Sequence, residues 1–495
     1  MIRLGKNNFK KMILMVYSAR FRGMGMGSTA NGFLLISLLV LLLNFVSQTA
    51  AFPFQCALII YAVAKADIRL FPGLFLVMLD KSNFPFFGAA MVKLQVGFAI
   101  SPQNIFLLMC FAVCIFGIVR QWYDQSTLIW FIPWLLCIIP ALAMAMPARQ
   151  KGLTMLWQTP LVAFLAPSLY FWGIRVGKTW DVGKEYFISR MILILATVNG
   201  LELIGLFHIF TFAEHITMVS LCFACFLLPK HMLYKVASVI GAAFAMGCVL
   251  LGRYMNIVAS QGYSSSAEIG TTFTRLLIVI VGIAFLIYLL KHNMSKSIIR
   301  GIPYMGLVFC ICVMSYAIGR AGSTKQSDVV ENKYQSFLER FEYKLVGDRG
   351  TVWSEGLRET LMPPYFIKNL DDQLVMGYNY ATGKIEPMVK LLPHNQVLTL
   401  LARSGWWLGL FMVLFLWWTC TRAFKSVLSM LNDKILLCTL LAPYAVIFII
   451  VGLTGQTVLN HLFCSNGLVT MIYPGIIYGV WQKRQQLRFM SARRW

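Results

Sequence analysis

Long apolar runs recur from one end of the chain to the other, and short polar connectors separate them. A run of about 20 apolar residues is long enough to cross the hydrocarbon layer of a bilayer as a helix. Because a helix satisfies its own backbone hydrogen bonds in lipid, the pattern predicts an all-α polytopic membrane protein with about 14 transmembrane helices, and no fewer than about 12. The predicted spans are residues 32–48, 52–66, 68–79, 103–119, 127–146, 153–173, 187–209, 214–230, 234–253, 275–291, 301–318, 396–420, 435–453 and 465–482.

The third predicted span is short, and we expect it to be half-inserted, with residues 82–100 lying along the outer surface. Composition agrees with a membrane protein, since the 495 residues are 59% hydrophobic and only 13% charged. In soluble domains about a quarter of the residues are charged. The net charge of +24 raises the possibility of a nucleic acid partner. However, the basic residues flank apolar runs as membrane anchors do, so we expect contact with membrane lipids and not with nucleic acid.

The basic connectors all fall on one side of the predicted membrane, together with both termini. They read VRQW, IRVGKTWDVGKEYFISR, LLPKHMLYK, KHNMSKSIIRG and TRAFKSVLSMLNDK. Because Lys and Arg are enriched in cytoplasmic connectors, we predict that both termini are cytoplasmic. The predicted organisation is a basic N-terminus (1–31), spans 1–11 (32–318), one large outer loop (319–395) with short helices, spans 12–14 (396–482) and a basic tail (483–495).

Five side chains that could bind or react with an anion map to the outer face in this prediction. They are four arginines at membrane boundaries or in the large loop and one histidine that precedes a span. A guanidinium group forks onto phosphate oxygens, most strongly where water is excluded. The alternative is that each arginine extends its charge to lipid headgroups. The five residues are Arg253, Arg275, Arg320, Arg349 and His394.

The stretch PHNQVLTLLARSGWWLGL places His394 and Asn395 directly before an apolar run. A helix N-terminus favours an anion, and it lowers the pKa of a histidine, which keeps the imidazole neutral and able to accept a proton. Gly405 follows at helical spacing and allows close helix contact. The alternative is an interfacial histidine beside an asparagine cap.

Other polar residues are less specific. Glu202 lies within the predicted seventh span, where a carboxylate is either functional or hydrogen-bonded to a neighbouring helix. His208, His215 and His461 are expected to be interfacial side chains. We find no spacing of metal ligands and no phosphate-binding loop, so no metal and no cofactor is predicted.

Two further stretches have motif-like order. TFTRLLIVIVGIAFLIYLL opens a predicted span with Thr274 and Arg275. DRGTVWSEGLRETLMPPYFIKNLDDQLVMGY holds Arg349 and Trp353 in a predicted helix ended by a proline pair, and then a turn with Gly377.

Together with the His-Asn stretch, these motifs resemble those of the O-antigen ligase and O-antigen polymerase superfamily of bacterial envelope glycosyltransferases. The resemblance covers about residues 270–412. The family has Ser where this chain has Thr274. Its second glycine usually follows the first by three residues, whereas Gly409 follows Gly405 by four.

The resemblance implies a GT-C-like fold and a glycosyl transfer at the periplasmic face of the bacterial inner membrane, without metal or nucleotide. The donor would be a glycan on undecaprenyl diphosphate. The acceptor would be another lipid-linked glycan in a polymerase, or a lipid A-core sugar in a ligase. Chain-length regulator and flippase proteins would be further partners.

The resemblance also implies roles for the residues on the outer face. Arginines would stabilise the leaving diphosphate, His394 would be the general base on the acceptor hydroxyl, and aromatic side chains of the loop, including Tyr365 and Tyr380, would stack on sugars. The predicted catalytic residues are His394, Arg275 and Arg349, and the predicted substrate-binding residues are Arg320, Arg253, Asn395, Trp353 and Tyr378.

Two alternatives belong to other classes of protein. A lipid-linked oligosaccharide flippase or transporter would have polar groups along a central path, and here the predicted spans hold few apart from Glu202. A scaffold for envelope assembly would tolerate replacement of His394. Within the glycosyltransferase class, the number of spans and the length of the outer loop favour a polymerase over a ligase.

Overall fold

The fold is taken from a computed structural model, which describes the greater part of both the N-terminal half and the C-terminal spans. The described residues are 29–79, 94–95, 99–100, 102–150, 154–204, 206, 213–228, 232–259, 312, 315, 350–368, 374–379, 384–389, 395–448 and 465–492.

Most of the described residues are helical, as the apolar pattern predicts. The helices are α1 (Thr29–Val46), α2 (Gln48–Lys65), α3 (Phe71–Met78), α4 (Pro102–Val119), α5 (Gln125–Leu128), α6 (Phe131–Leu136), α7 (Ile138–Gln150), α8 (Thr154–Leu165), α9 (Pro167–Gly177), α10 (Trp180–Leu203), α11 (Ala213–Phe226), α12 (Met232–Ala259), α13 (Thr351–Leu361), α14 (Gln396–Val427), α15 (Lys434–Leu436), α16 (Ala442–Val446) and α17 (Ser465–Ala492). A 3₁₀ turn, Ile68–Leu70, precedes α3, and a π-helical turn, Leu437–Leu441, joins α15 to α16.

Two small antiparallel hairpins interrupt the helical pattern. Strands β1 (Leu94–Gln95) and β2 (Ala99–Ile100) form the first, and strands β3 (Leu374–Asn379) and β4 (Lys384–Val389) form the second. The second hairpin lies in the predicted outer loop, where we expected short helices and a turn. Gly377 lies within β3, opposite Glu386.

Among the described residues, six helical segments are long and apolar enough to cross a membrane. The coarse prediction of a multi-pass α-helical membrane protein is therefore confirmed, while the number of 14 spans and the sidedness stay predictions. The six segments are Thr29–Val46, Pro102–Val119, Gln125–Pro147, Pro160–Gly177, Trp180–Leu203 and Val397–Val427. Predicted span 275–291 lies outside the described residues, and of predicted span 301–318 only residues 312 and 315 are described.

Two helix bounds differ from the prediction for a physical reason. Helix α10 begins at Trp180, seven residues before the predicted start, because the buried Trp180 and Gly183 already pack in its first turns. Because α10 ends at Leu203, before the predicted end at residue 209, Glu202 lies in its last turn and not in mid-span. Helix α17 continues to Ala492, ten residues beyond the predicted end of the last span, as a basic and largely exposed extension.

Helices α9 and α17 form a close crossing through two pairs of glycines. Gly173 and Gly177 face Gly475 and Gly479, and a Cβ atom added at Gly173 would lie 2.6 Å from the carbonyl oxygen of Ile472. Such spacing lets helix backbones approach closely in a membrane. Beside this crossing the core is filled with aromatic rings, including Trp134, Tyr170, Phe171, Phe415 and Trp418.

A polar network joins three helices at one end of the bundle. Arg422 in α14 donates to Asp124 Oδ2 at 2.8 Å and to Thr127 Oγ1 at 2.6 Å, at the start of α5. Tyr478 and Gln482 of α17 each donate to Asp124 at 3.1 Å. The guanidinium of Arg422 also lies over the Tyr478 ring, 3.6 Å from its centroid.

Further contacts bring other connectors to the same end. Arg484 of α17 pairs with Asp181 and, at 2.6 Å, with Asp433. The amide of Ile68 donates to Thr179 Oγ1 at 2.9 Å. These contacts bring together the connectors near residues 67, 124, 179 and 430 and the end of α17. The charge pattern predicts that the same segments lie on one side of the membrane, and the contacts agree with that prediction.

Candidate functional site

The predicted site residues fall into three groups. His394, Arg275, Arg349 and Arg320 lie outside the described residues. Arg253 lies on α12 and Tyr378 on β3, and for both only the backbone is described. The side chains of Asn395 and Trp353 are described in full, and they belong to two elements that pack together, α14 and α13.

Asn395 is the N-cap of α14. Its backbone is extended, and its Oδ1 atom accepts hydrogen bonds from the amides of Val397 at 3.0 Å and Leu398 at 3.1 Å. The residue is 1% exposed. Such a cap satisfies two of the four amides that a helix start leaves open. The predicted helix start at residue 396 is confirmed, and His394 immediately precedes the cap in sequence.

Helix α14 is broken at Gly405, which has φ 69° and ψ 177°. That backbone conformation is open to glycine almost alone, and a Cβ atom there would lie 2.5 Å from the carbonyl oxygen of Phe366. A Cβ atom on Gly409 would lie 2.6 Å from the carbonyl oxygen of Leu400. The segments 396–404 and 406–427 therefore fold sharply against each other. We predicted close contact with another helix at Gly405, whereas its close neighbour is the non-helical backbone at Phe366, and the break was not predicted.

The break frees backbone amides that would donate hydrogen bonds within a continuous helix. Carbonyl groups of the loop segment 351–368 accept these hydrogen bonds instead. Trp406 N donates to Tyr365 O at 2.8 Å, and Trp407 N donates to Phe366 O at 3.3 Å. The indole Nε1 of Trp406 donates to Thr360 O at 2.9 Å. We call this contact the lid junction, and it fixes the loop segment to the folded span.

The loop segment contains a short amphipathic helix whose C-terminal end is capped by a side chain. Helix α13 covers most of the stretch that the sequence predicts as helical. Its C-terminal carbonyl groups are capped by the side chain of Lys368, whose Nζ donates to Met362 O at 2.6 Å. Trp353, Gly356 and Thr360 form its buried stripe, whereas the Arg358 side chain is 65% exposed.

Trp353 lies on the buried stripe of α13 and is 1% exposed, and its Nε1 has no hydrogen-bond partner in the described part of the chain. Its predicted role in stacking on sugars stays a prediction, and in this arrangement the ring is covered. Tyr365 is exposed and contacts Trp406 edge-on, with ring centroids 6.1 Å apart.

A second polar cluster lies between α10, α11 and α12. His215 Nδ1 is 3.0 Å from Asn199 Oδ1, and His215 Nε2 is 3.6 Å from Glu202 Oε2. Cys248 Sγ donates to Asn199 O at 3.1 Å. Glu202 and His215 were predicted as separate residues, and Asn199 was not predicted as a partner of either. The sequence did hold a signal for this cluster, because Glu202 and His215 lie toward the facing ends of two consecutive predicted spans.

Within the described residues, no group of three or more His, Cys, Asp or Glu side chains could hold a metal ion. Thr360, Lys368 and Trp406 were not predicted to belong to a site, because their hydrogen bonds involve main-chain carbonyl groups that any residue supplies.

The fold and these two clusters define a multi-pass α-helical membrane protein with a loop segment locked onto a broken span. The chain matches no protein-family model, no curated protein and no solved structure.

Proposed function

We propose that the protein is a membrane glycosyltransferase. It moves a glycan from undecaprenyl diphosphate to a sugar hydroxyl at the periplasmic face of the bacterial inner membrane, and thereby polymerises O-antigen or exopolysaccharide repeat units. The observation that carries the proposal is the lid junction. It joins the element that follows Arg349 to the element that follows His394 and Asn395.

The geometry of the junction supports a common site for these residues. Helix α13 begins two residues after Arg349 and reaches the junction at Thr360. The first segment of α14 begins two residues after His394 and reaches it at Gly405. At 1.5 Å per residue, each N-terminal end lies about 14–17 Å from the junction. The Asn395 side chain pairs two of the amides at the start of α14, and the positive end of the helix dipole there favours an anion.

In the proposed reaction, His394 accepts the proton of the acceptor hydroxyl as that oxygen attacks the anomeric carbon. The bond from that carbon to the diphosphate oxygen breaks, and the electron pair leaves with undecaprenyl diphosphate. Arg275 and Arg349 stabilise the charge that develops on the leaving group, with Arg320 and Arg253 in support. No metal and no nucleotide takes part in this scheme.

An O-antigen ligase is the nearest alternative function, and it would use the same donor with a lipid A-core sugar as acceptor.

A flippase for lipid-linked oligosaccharides is a more distant alternative function. The packed aromatic core around Phe171 and Phe415 favours an enzyme, because a flippase needs a polar path through the bundle.

The experiment replaces His394, Arg275 and Arg349 singly with Ala and examines surface glycan and lipid-linked precursors on a gel. Normal membrane levels of protein with lost long chains support a polymerase, and lost glycan on the lipid core supports a ligase. Arg358→Ala is the matched control, since that arginine lies in the same loop with its side chain in solvent. Unchanged glycan in the His394→Ala and Arg275→Ala strains would overturn the assignment.

A further inference from the structure

One arginine at the end of the bundle that holds Asp124 has no carboxylate partner in the described part of the chain. Arg69, Arg422 and Arg484 are each paired with an aspartate there. Arg175, in the last turn of α9, is half-buried, and its Nη1 atom has no hydrogen-bond partner among the described residues. A charge that is partly withdrawn from water without a counter-charge favours an anion beside it.

The Arg175 side chain lies between the ends of two neighbouring helices. Its Nη2 donates to Ala64 O in the last turn of α2 at 3.2 Å, and its guanidinium carbon lies 4.1 Å from the centroid of the Trp122 ring, just after α4. The Trp122 ring contacts Phe116 edge-on, with centroids 5.3 Å apart. The guanidinium carbon of Arg120 lies 5.2 Å from the centroid of the same Phe116 ring. Arg120 and Arg175 therefore flank one pair of aromatic rings.

A third cation, Lys178, directly follows α9 and is half-buried. Burial lowers the pKa of Lys178, and the like charge of Arg175 lowers it further, against the opposite effect of Asp124. Asp124 itself is paired with Arg422. We call Arg120, Arg175 and Lys178 the basic patch, and none of the three forms an ion pair with a described residue.

The basic patch lies where two segments long enough to cross a membrane come to an end. These segments are Pro102–Val119 and Pro160–Gly177. Beside the cations, Phe116 and Val119 are apolar and are 49% and 75% exposed. Cations next to exposed apolar side chains at a membrane boundary match an anionic phospholipid, whose phosphate meets the cations while its acyl chains cover the apolar residues. A soluble anion would leave that apolar surface uncovered.

We propose that Arg120, Arg175 and Lys178 form a binding site for the phosphate group of an anionic phospholipid. Guanidinium and ammonium groups both bind phosphate oxygens. Arg120 is exposed and contacts the phosphate directly together with Lys178, whereas Arg175, held by Ala64 and Trp122, contributes its charge from beneath. The site uses none of the residues assigned to glycosyl transfer, so the inference does not depend on the proposed function.

The test uses the full chain in neutral detergent micelles, titrated with phosphatidylglycerol, with phosphatidylcholine of the same acyl chains, or with soluble glycerol phosphate. Binding is measured as the rise of the unfolding temperature with ligand concentration. The variants are Arg120→Gln and Lys178→Gln, which leave the contacts of Arg175 with Ala64 and Trp122 in place. Arg488→Gln is the matched control, since it removes the same charge from the exposed extension of α17.

Wild type and Arg488→Gln should bind phosphatidylglycerol more tightly than phosphatidylcholine, and glycerol phosphate should not compete. Arg120→Gln and Lys178→Gln should each bind phosphatidylglycerol roughly fivefold more weakly than wild type, as expected for one basic residue near an anionic lipid surface. No preference of wild type for phosphatidylglycerol, or equal affinities in all four proteins, would overturn the site. Competition by glycerol phosphate would assign a soluble anion instead and overturn the phospholipid.

Discussion

At the scale of single residues, Asp124 shows how one carboxylate can organise an end of the bundle. Burial alone would raise the pKa of Asp124, but hydrogen bonds from Ser126 and Thr127 and the charge of Arg422 outweigh it, so the pKa lies below its usual value. The Arg422 side chain is 11% exposed, which makes the pairing less screened than on an open surface.

Asp124→Asn should lower the free energy of unfolding by about 1–3 kcal/mol, because Arg422 then keeps a buried charge without its counter-charge. Thermal or denaturant unfolding in detergent micelles measures this difference. Glu355→Gln is the control, since the Glu355–Arg358 pair is exposed and its atoms are 3.9 Å apart. Such surface pairs contribute about 0–1 kcal/mol. Equal losses in the two variants would contradict a special role for Asp124.

The difference in unfolding free energy between wild type and Asp124→Asn should depend on pH in one direction. The folded pKa of Asp124 lies below the unfolded value of about 3.9, so its stabilisation is complete above that value and is lost as the pH falls through the folded pKa. The stability difference between wild type and Asp124→Asn should stay constant from about pH 7 to pH 5 and shrink below about pH 4. A difference that grows on acidification would contradict the account.

Several residue-scale contacts could not be predicted because they join distant parts of the chain. Asp124 and Arg422 are separated by 298 positions, and no local pattern links them. Asn395 is different, because its cap bonds lie within three residues, and the sequence analysis did consider an asparagine cap there.

At the scale of elements, Gly405 decides the shape of the span that follows the His-Asn pair. A helical apolar pattern with one glycine fits a continuous helix as well as a broken one, so the sequence could not predict the break. The break becomes possible because the loop carbonyl groups of Tyr365 and Phe366 accept the amides that it frees.

Gly405→Ala should destabilise the protein by about 1–3 kcal/mol or more, because an alanine is strained at φ 69° and its Cβ would collide with Phe366 O. We also expect transfer activity to fall, because the lid junction would shift. Gly32→Ala is the control. Nothing lies within 4 Å of a Cβ atom there, so it should be neutral or stabilising by up to about 1 kcal/mol. Equal melting temperatures for Gly405→Ala and wild type would contradict the break.

The crossing of α9 and α17 makes a second prediction at this scale. Gly479→Ala should lower the melting temperature, because its Cβ would overlap the carbonyl oxygen of Ile174 on the facing helix. Gly32→Ala again serves as the control, measured in the same unfolding experiment. A Gly479→Ala protein as stable as wild type would show that the helices do not cross this closely.

Helix positions were otherwise predicted well wherever an uninterrupted apolar run defined them, as for α1 and α4. The start of α10 was missed because TWDVGKEY is polar enough to read as a connector. The β3–β4 hairpin was missed because its two strands of six residues each have neither a long apolar run nor a tight turn motif between them.

At the scale of the whole molecule, the contacts around Asp124 and Arg484 gather connectors that the charge pattern assigns to the cytoplasm. Cysteines introduced singly at Ser491, in the extension of α17, and at Arg358, in the loop segment, should therefore react with a membrane-impermeant thiol reagent from opposite sides. Wild type provides the background from its native cysteines. Labelling of both positions from the same side would refute the predicted topology.

If His394 and the lid junction serve glycosyl transfer, the purified protein should transfer a glycan between two lipid-linked substrates. Purified wild type and His394→Ala are each incubated with a glycan on undecaprenyl diphosphate and a second lipid-linked glycan, and the lengthened product and released lipid diphosphate are quantified. The account predicts transfer by wild type and at least a roughly hundredfold slower rate for His394→Ala, as general-base catalysis typically contributes. Equal rates for the two proteins, or no transfer by wild type to either a lipid-linked glycan or a lipid A-core acceptor, would contradict it.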